Sequence, residues 1–412
     1  MALNTLATPT WVMKEVARGF TNEVKFLANV NRTYDDQYKQ AGARVGNTVQ
    51  ARLPQRFTVT DGQALQLQSL YDQTVPITLT NQKNVAFGYS SAQATTELDN
   101  IRTRYTQPGA ESMANAADVL AYNQVVRDVY SSVGTPGTTP SATLTYLQAG
   151  VKLTDQATPM DGRVGVLDPL AMVTLANSTQ ALFNPSAAIS ENYRKGQFGR
   201  DQLGVSAWYQ DPNRLSHTTG SYTTSTPLVN GGSQTGSSLI TDGWASGAAT
   251  LNKGDVFTIA GVNTVNPLSY ASTGRLQQFV VTATITSTGG DMTIAISPSI
   301  ITSGQLQTVD ASPANNAVIT VLGATAAASG TLTATASPQS LVYHPDAFAF
   351  VMADLFKPDA GCKATVVRSK ALGFSLRMVE QYQIGTDQNP SRLDMLIGAA
   401  TIQARLAARV WG

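Results

Sequence analysis

The stretch from Thr106 to Gly134 constrains this chain most, because its pattern admits one long helix and little else. Thr106 is suited to cap a helix N-terminus, and Pro108 stands where a missing N–H leaves no bond unmade. Val119, Tyr122, Val126, Val129 and Tyr130 recur at three- and four-residue steps, and Met113 and Ala116 extend the stripe one turn earlier. Asn115, Asp118, Asn123, Arg127 and Asp128 fall on the other faces. Gly134, followed by Pro136 and Gly137, ends the run. The pattern predicts a spine helix over 107–133, roughly seven turns long.

Around this spine the period changes several times. Residues 8–30 read as an amphipathic helix, with Trp11, Val12, Val16, Phe20, Val24 and Leu27 near one face. That helix either packs on its own core or reaches to a partner. From Thr48 to Tyr89 the period is two: Val49, Ala51 and Leu53 alternate with polar residues, as do Val75, Ile77 and Leu79. Between them Arg56 to Asp72 reads as a polar tip of little hydrophobic content, turning at Asp61-Gly62. Such a tongue is not stable alone, so it is either a disordered loop or an arm lying on a second molecule.

Helices are expected over Ser91–Arg104, Ala142–Thr154 and Pro169–Leu182, with a strand over Arg163–Leu167 and irregular chain over Glu191–Asp211. The composition then shifts. From Ser216 to Ser340 six charged side chains occur, and short β-prone runs alternate with Gly, Pro, Ser and Asn, which predicts an inserted all-β barrel or sandwich. Its opening, Thr218 to Gly243, is of low complexity and reads as a mobile linker. After it, His344–Leu355 carries helical spacing (Phe348, Val351, Met352, Leu355), Ala364–Val379 reads as strand, and Arg392–Trp411 closes the chain. The fold class is therefore α+β. Its expected divisions are an N-terminal arm (1–46), a β-hairpin arm (47–90), a peripheral domain (91–160), a central domain (161–217 with part of 341–412), the insertion (218–340) and closing strands.

Charge narrows the function. Only 13% of residues are charged, against about 25% in an ordinary soluble domain, and the balance is made up by small and uncharged polar residues. A free monomer relies on surface charge for solubility, whereas a subunit covered by neighbours needs less. The net charge of +1 gives no electrostatic footprint for nucleic acid. The single cysteine, Cys362, excludes an internal disulfide framework. The first thirty residues lack the apolar core of a secretion signal, and no stretch is long and apolar enough to span a bilayer, so a cytoplasmic site of synthesis is expected.

Chemistry is absent from the pattern. There is no nucleophile elbow, phosphate-binding glycine loop or zincin helix, and His217, His344 and Cys362 lie far apart. Asp35-Asp36 and the Glu97/Asp99 pair sit in polar stretches and read as solvated faces, while Asp394 beside Arg392 reads as a paired buried charge. No catalytic residue, cofactor or metal is expected, and the chain is not expected to be an enzyme.

The order of elements resembles the major capsid proteins of tailed double-stranded-DNA bacteriophages, the HK-ninety-seven-type fold. Leu251-Asn252-Lys253-Gly254-Asp255-Val256-Phe257-Thr258-Ile259-Ala260-Gly261-Val262, with Phe279-Val280-Val281 and Ile294–Pro298 behind it, resembles the inserted domain of podophage coat proteins of the P-twenty-two type. Phe374-Ser375-Leu376-Arg377, then Arg392-Leu393-Asp394, Gly398 and Arg405–Trp411, is similar to that family's closing strands. The resemblance implies a homo-oligomeric icosahedral shell of hexamers and pentamers in the virion. It further implies assembly in the host bacterial cytoplasm with a scaffolding protein and a portal, maturation of a procapsid, and DNA enclosed without sequence specificity. On that basis Arg52, Arg56, Asp61 and Asp72 are expected at contacts between subunits, and Lys14, Glu15, Arg18 and Glu23 on the inner face toward scaffold. A reading of another class is a binding protein, an adhesin or decoration module carried on a helical scaffold.

Overall fold

In the computed structural model of the chain, residues 25–33, 46, 48–60, 62–63, 65–90, 107–179, 203–325, 330–358, 361–368 and 375–412 are described. They divide into two compact units, the first built from Met1–Ala51, Thr74–Tyr122 and Phe348–Ala400 and the second from Arg52–Gln73, Asn123–Ala347 and Thr401–Gly412.

The first unit is organised on the fourteen-residue strand Gln388–Thr401. It pairs antiparallel with Asn81–Ser90, from Gln388 opposite Ser90 to Ile397 opposite Asn81. It also pairs with Ser375–Glu380, which in turn pairs with Lys363–Arg368. The expected strand over 364–379 is thus two antiparallel strands. The phase of its alternation breaks before Phe374, as a reversal of direction requires. Residues 81–90 likewise leave the hairpin and join this sheet, so the two-stranded ribbon itself comprises Thr48–Arg52 and Thr74–Thr78.

Phe348–Ala353, expected as helix, is a strand with Phe348 to Met352 all buried. A continuous apolar run of this length satisfies helical spacing by accident, and burial on both faces selects the strand. Phe26 packs on it, 5.7 Å from the Phe348 ring, and meets Tyr122 edge-on at 5.2 Å. The expected helix over 8–30 falls largely outside the described residues. Its last turn is 3-10, Leu27–Asn29, after which Asn31 bridges Ala349.

The spine helix α1 runs Gln107–Val125 and gives way to a 3-10 turn, Val126–Asp128, and a short strand, Ser132–Val133. It is shorter than expected because the chain beyond the 3-10 turn, from Val129 to Val133, is buried in extended form, where β-branched side chains pack well. Its buried face in the first unit is mostly small (Met113, Ala114, Ala117 and Ala121), and the buried Asp118 accepts the backbone N–H of Leu27 at 3.0 Å.

In the second unit a sheet runs Ser132–Val133, Ala407–Trp411, Ala336–Tyr343, Val164–Leu167, Ala207–Gln210 in spatial order. The last of these strands falls where irregular chain was expected. Helices α2 (Thr143–Asp155) and α3 (Pro169–Thr179) close a core with Tyr146, Leu153, Met172, Leu175, Trp208 and Val342. Gly165 lies opposite Trp208, and a Cβ there would come within 2.3 Å of the indole. Only glycine permits that approach.

The inserted module forms a six-stranded antiparallel sheet in the order Ile319–Val321, Val256–Val265, Ser272–Val281, Met292–Ile300, Gly236–Asp242, Leu228–Val229. Its two ends meet: Leu228 bridges Val318, Val229 N donates to Ala317 O at 3.0 Å and Ile319 N donates to Pro227 O at 3.0 Å. The sheet therefore closes into a barrel, which leaves no free edge to pair with other chains. The mobile linker expected over 218–243 is instead ordered strand. Tyr222–Ser225 pairs with Gly330–Leu332 in a small sheet beside the barrel, and Leu228–Val229 and Gly236–Asp242 belong to the wall, with Thr and Ser as strand residues. The module enters at Ser216–Thr218 and leaves at Ala336–Pro338, which are paired neighbours: Thr218 stands opposite Ala336.

Candidate functional site

Beyond its base the hairpin stops being a regular ladder. Val49, Ala51, Ile77 and Leu79 are buried at the base. Past Leu53, whose N–H donates to Gln73 O at 2.9 Å, glutamine side chains replace backbone pairing. Gln55 accepts from Tyr71 N at 3.1 Å and donates to Tyr71 O. Gln68 accepts from Thr58 N at 2.9 Å and donates to Thr58 O. A primary amide offers the same donor and acceptor pair as a peptide group, so each glutamine stitches the opposite leg in a fixed register. The tip is seated within its own unit: Gln305 Nε2 donates to Gln68 Oε1 at 2.8 Å, and the Tyr270 hydroxyl lies 3.5 Å from Phe57 O.

This stitched tip is not the apolar-poor tongue expected. Phe57, Val59, Leu65, Leu67, Leu70 and Tyr71 are all exposed, Val59 and Leu67 by 94% and 89%. The signal was present, since Phe57/Val59 and Leu65/Leu67 each alternate with a polar residue. Reading the whole segment as polar averaged that alternation away. Isolated surface leucines need no explanation, but six large apolar side chains exposed between Phe57 and Tyr71 are a concentration that water does not favour.

Of the residues expected at subunit contacts, Arg52 and Asp72 are exposed where the ribbon leaves its base, and Arg56 is half-buried. Asp61 lies outside the described residues, as do Lys14, Glu15, Arg18 and Glu23. Two buried carboxylates have structural partners. Asp394 accepts from Arg377 Nη2 and Arg392 Nε, each at 2.6 Å, and Arg377 Nη1 donates onward to Phe356 O at 2.6 Å. Asp255 meets His217 Nε2 at 2.8 Å and accepts the backbone N–H of Gly220 and Asn252 at 2.9 and 2.8 Å. His217 sets its edge against Trp411, ring centres 5.4 Å apart, so this pair pins the module's entrance to the central sheet. No group of three or more metal-ligating side chains occurs among the described residues. No helix among them is long and apolar enough to cross a membrane.

Against known proteins, the family model described as "P22 coat protein - gene protein 5" matches residues 1–408. No curated protein matches the chain. Among solved structures, one of Mycobacterium phage Che8 is similar at 14% identity and TM-score 0.45, over 100% of this chain and 94% of that one. The bacteriophage PhiM1 mature capsid is similar at 10% identity and TM-score 0.42, over 94% and 86%. The CUS-3 coat protein I-domain matches at 30% identity over 24% of this chain and 98% of its own, with TM-score 0.19.

Proposed function

From the premise that the chain belongs to the P22 coat protein family, and so is a major capsid protein of tailed phages, we propose that it acts purely as a structural subunit whose exposed hairpin tip docks on a neighbouring copy. Many copies form the virion shell. The finer reading is that they close as hexamers and pentamers into an icosahedron, with scaffolding protein and a portal, in the host cytoplasm. Double-stranded DNA is then packed inside without sequence readout. The alternative of a separate binding module on a helical scaffold loses its ground, because the family match runs through the whole chain.

The observation that supports the docking tip is the row of apolar side chains on a ribbon whose shape is fixed before any partner arrives. A preorganised ribbon loses little conformational freedom on docking, so more of its burial energy appears as affinity. A near-neutral chain also suits a wall that encloses DNA, since each phosphate contact adds grip and salt sensitivity. Negative-stain electron microscopy of the purified chain, expressed with and without its neighbouring viral genes, tests the reading. Closed particles or regular tubes are expected. A monodisperse monomer under both conditions would overturn it.

A further inference from the structure

A cavity of about 390 Å³ opens in the second unit, walled by the first residues of the hairpin tip, the chain around Tyr130 and Arg405, and the barrel. Arg56 and Arg405 both line it. Arg405 is held in place: Nη1 donates to Gln156 O at 3.0 Å, and Nε and Nη2 donate to Gln403 Oε1 at 3.1 and 2.8 Å. Burial, and next the nearby Arg56 charge, both press its pKa below the usual guanidinium range. Arg56 has no hydrogen bond or ion pair among the described residues.

Among the described lining residues, nothing neutralises these two cations. Asp128, its one acid, is paired with Lys253 Nζ at 3.3 Å and accepts the Thr401 hydroxyl at 3.2 Å. Tyr130 stays protonated, because burial drives its pKa well up. The remaining polar groups are neutral amides and hydroxyls such as Gln277, Gln307 and Thr282. Two guanidiniums brought together without a counter-charge destabilise the subunit, unless an anion completes the site.

We propose that this cavity is an anion-binding socket, in which Arg56 and Arg405 receive a carboxylate carried on the side chain of an incoming protein segment. A protein carboxylate fits better than a nucleic-acid backbone. Backbone binding takes a run of spaced cations along a basic face, whereas this chain has a net charge of +1 and the described lining presents one pair of arginines. The volume suits one acidic side chain with its stem and flanking atoms. The source of that segment, a second copy or another assembling protein, rests on the shell reading; the anion chemistry does not.

Thermal unfolding of the full-length chain tests the chemistry, with glutarate, inorganic phosphate or a short oligothymidylate added against chloride at matched ionic strength. Glutarate should raise the unfolding temperature of the wild type, and Arg56→Gln should weaken its apparent affinity at least tenfold. The variant should unfold no earlier than wild type without ligand, because Arg56 has no bond among the described residues to lose. An equal response in both proteins overturns the socket. Protection by phosphate or oligothymidylate that depends on Arg56, with none by glutarate, overturns the carboxylate assignment. Microscopy of Arg56→Glu separates the sources. Loss of self-assembly that glutarate reproduces on the wild type assigns the carboxylate to a second copy, and loss of co-assembly alone assigns it to another protein. Wild-type chain that never assembles would count against the shell reading and leave the glutarate result standing.

Discussion

Asp394 shows how much one side chain can hold. It is fully buried, stands opposite Arg377 on one neighbouring strand and Asn84 on the other, and takes both guanidinium partners on its two oxygens. Asp394→Asn keeps the shape and removes the charge. We expect it to lower stability by about 2–3 kcal/mol, read from the urea midpoint, because charge-assisted bonds are lost and Arg377 is left only partly hydrated. Replacing both Asp394 by Leu and Arg377 by Met should recover most of that loss. Asp310 offers a pH handle. Burial pushes its carboxyl up, but bonds from Asn263 N and Nδ2 at 2.8 and 2.9 Å, Ser272 at 2.8 Å and the Ala311 backbone prevail and hold it below the usual range. A carboxyl whose folded pKa is depressed contributes stability that is present above its unfolded value, about 3.9, and is lost as pH falls through the folded one. Denaturation midpoints of wild type should therefore fall more steeply below about pH 4 than those of Asp310→Asn.

At the scale of elements, the helices expected from Ala142 and from Pro169 were legible, the one expected over Ser91–Arg104 lies outside the described residues, and several strands were not legible. The helix expected over Ala142–Thr154 is α2, displaced by one residue, because its apolar spacing is strict and it is bounded by Pro140 and the Gln156 turn. Phe348–Ala353 was misread because an unbroken apolar run carries no period of its own. The carboxy-terminal part of the spine was misread because Val126, Val129 and Tyr130 satisfy helical spacing, while β-branched and aromatic side chains such as Val129 and Tyr130 also favour extended chain. The inserted barrel was visible in its low charge and β-prone runs, yet its closure depends on contacts between residues near 228 and 318, which no local pattern encodes. The tip's apolar face was present in the alternation, whereas the glutamine stitching needs pairs ten and sixteen residues apart. Changing Leu65, Leu67 and Leu70 together to Ser should leave monomer stability within about 0.5 kcal/mol, since all three are exposed. The same change should abolish closed particles, because each leucine buried at a contact is worth about 1.5–3 kcal/mol. Deleting residues 54–72 should do the same. Intact shells from either protein would remove the tip from the contact.

On the scale of the whole molecule, the barrel has a core of its own, in which Phe257, Phe279, Leu239, Ile294 and Trp244 are buried together. Residues 219–335 made alone should therefore melt cooperatively, as followed by circular dichroism. The remainder of the chain should fare worse. Val256 and Val280 of the barrel cover Tyr130 and Trp411, so excising the module strips a lid from two buried aromatics. We expect a loss on the order of 3–5 kcal/mol for that remainder, the scale of uncovering a buried aromatic side chain.

Thr218 and Ala336 share one antiparallel rung, so the chain leaves for the barrel and returns within a single strand spacing. Heredity can act on such a junction cleanly. A lineage can lengthen, shorten or exchange everything between those residues by editing at one rung, while the path of the host sheet stays as inherited. What a replacement must bring is two strand ends a rung apart, a carboxylate to meet His217 as Asp255 does, and two apolar side chains to sit where Val256 and Val280 now sit. The wall and the barrel are thus free to diverge at different rates within one gene.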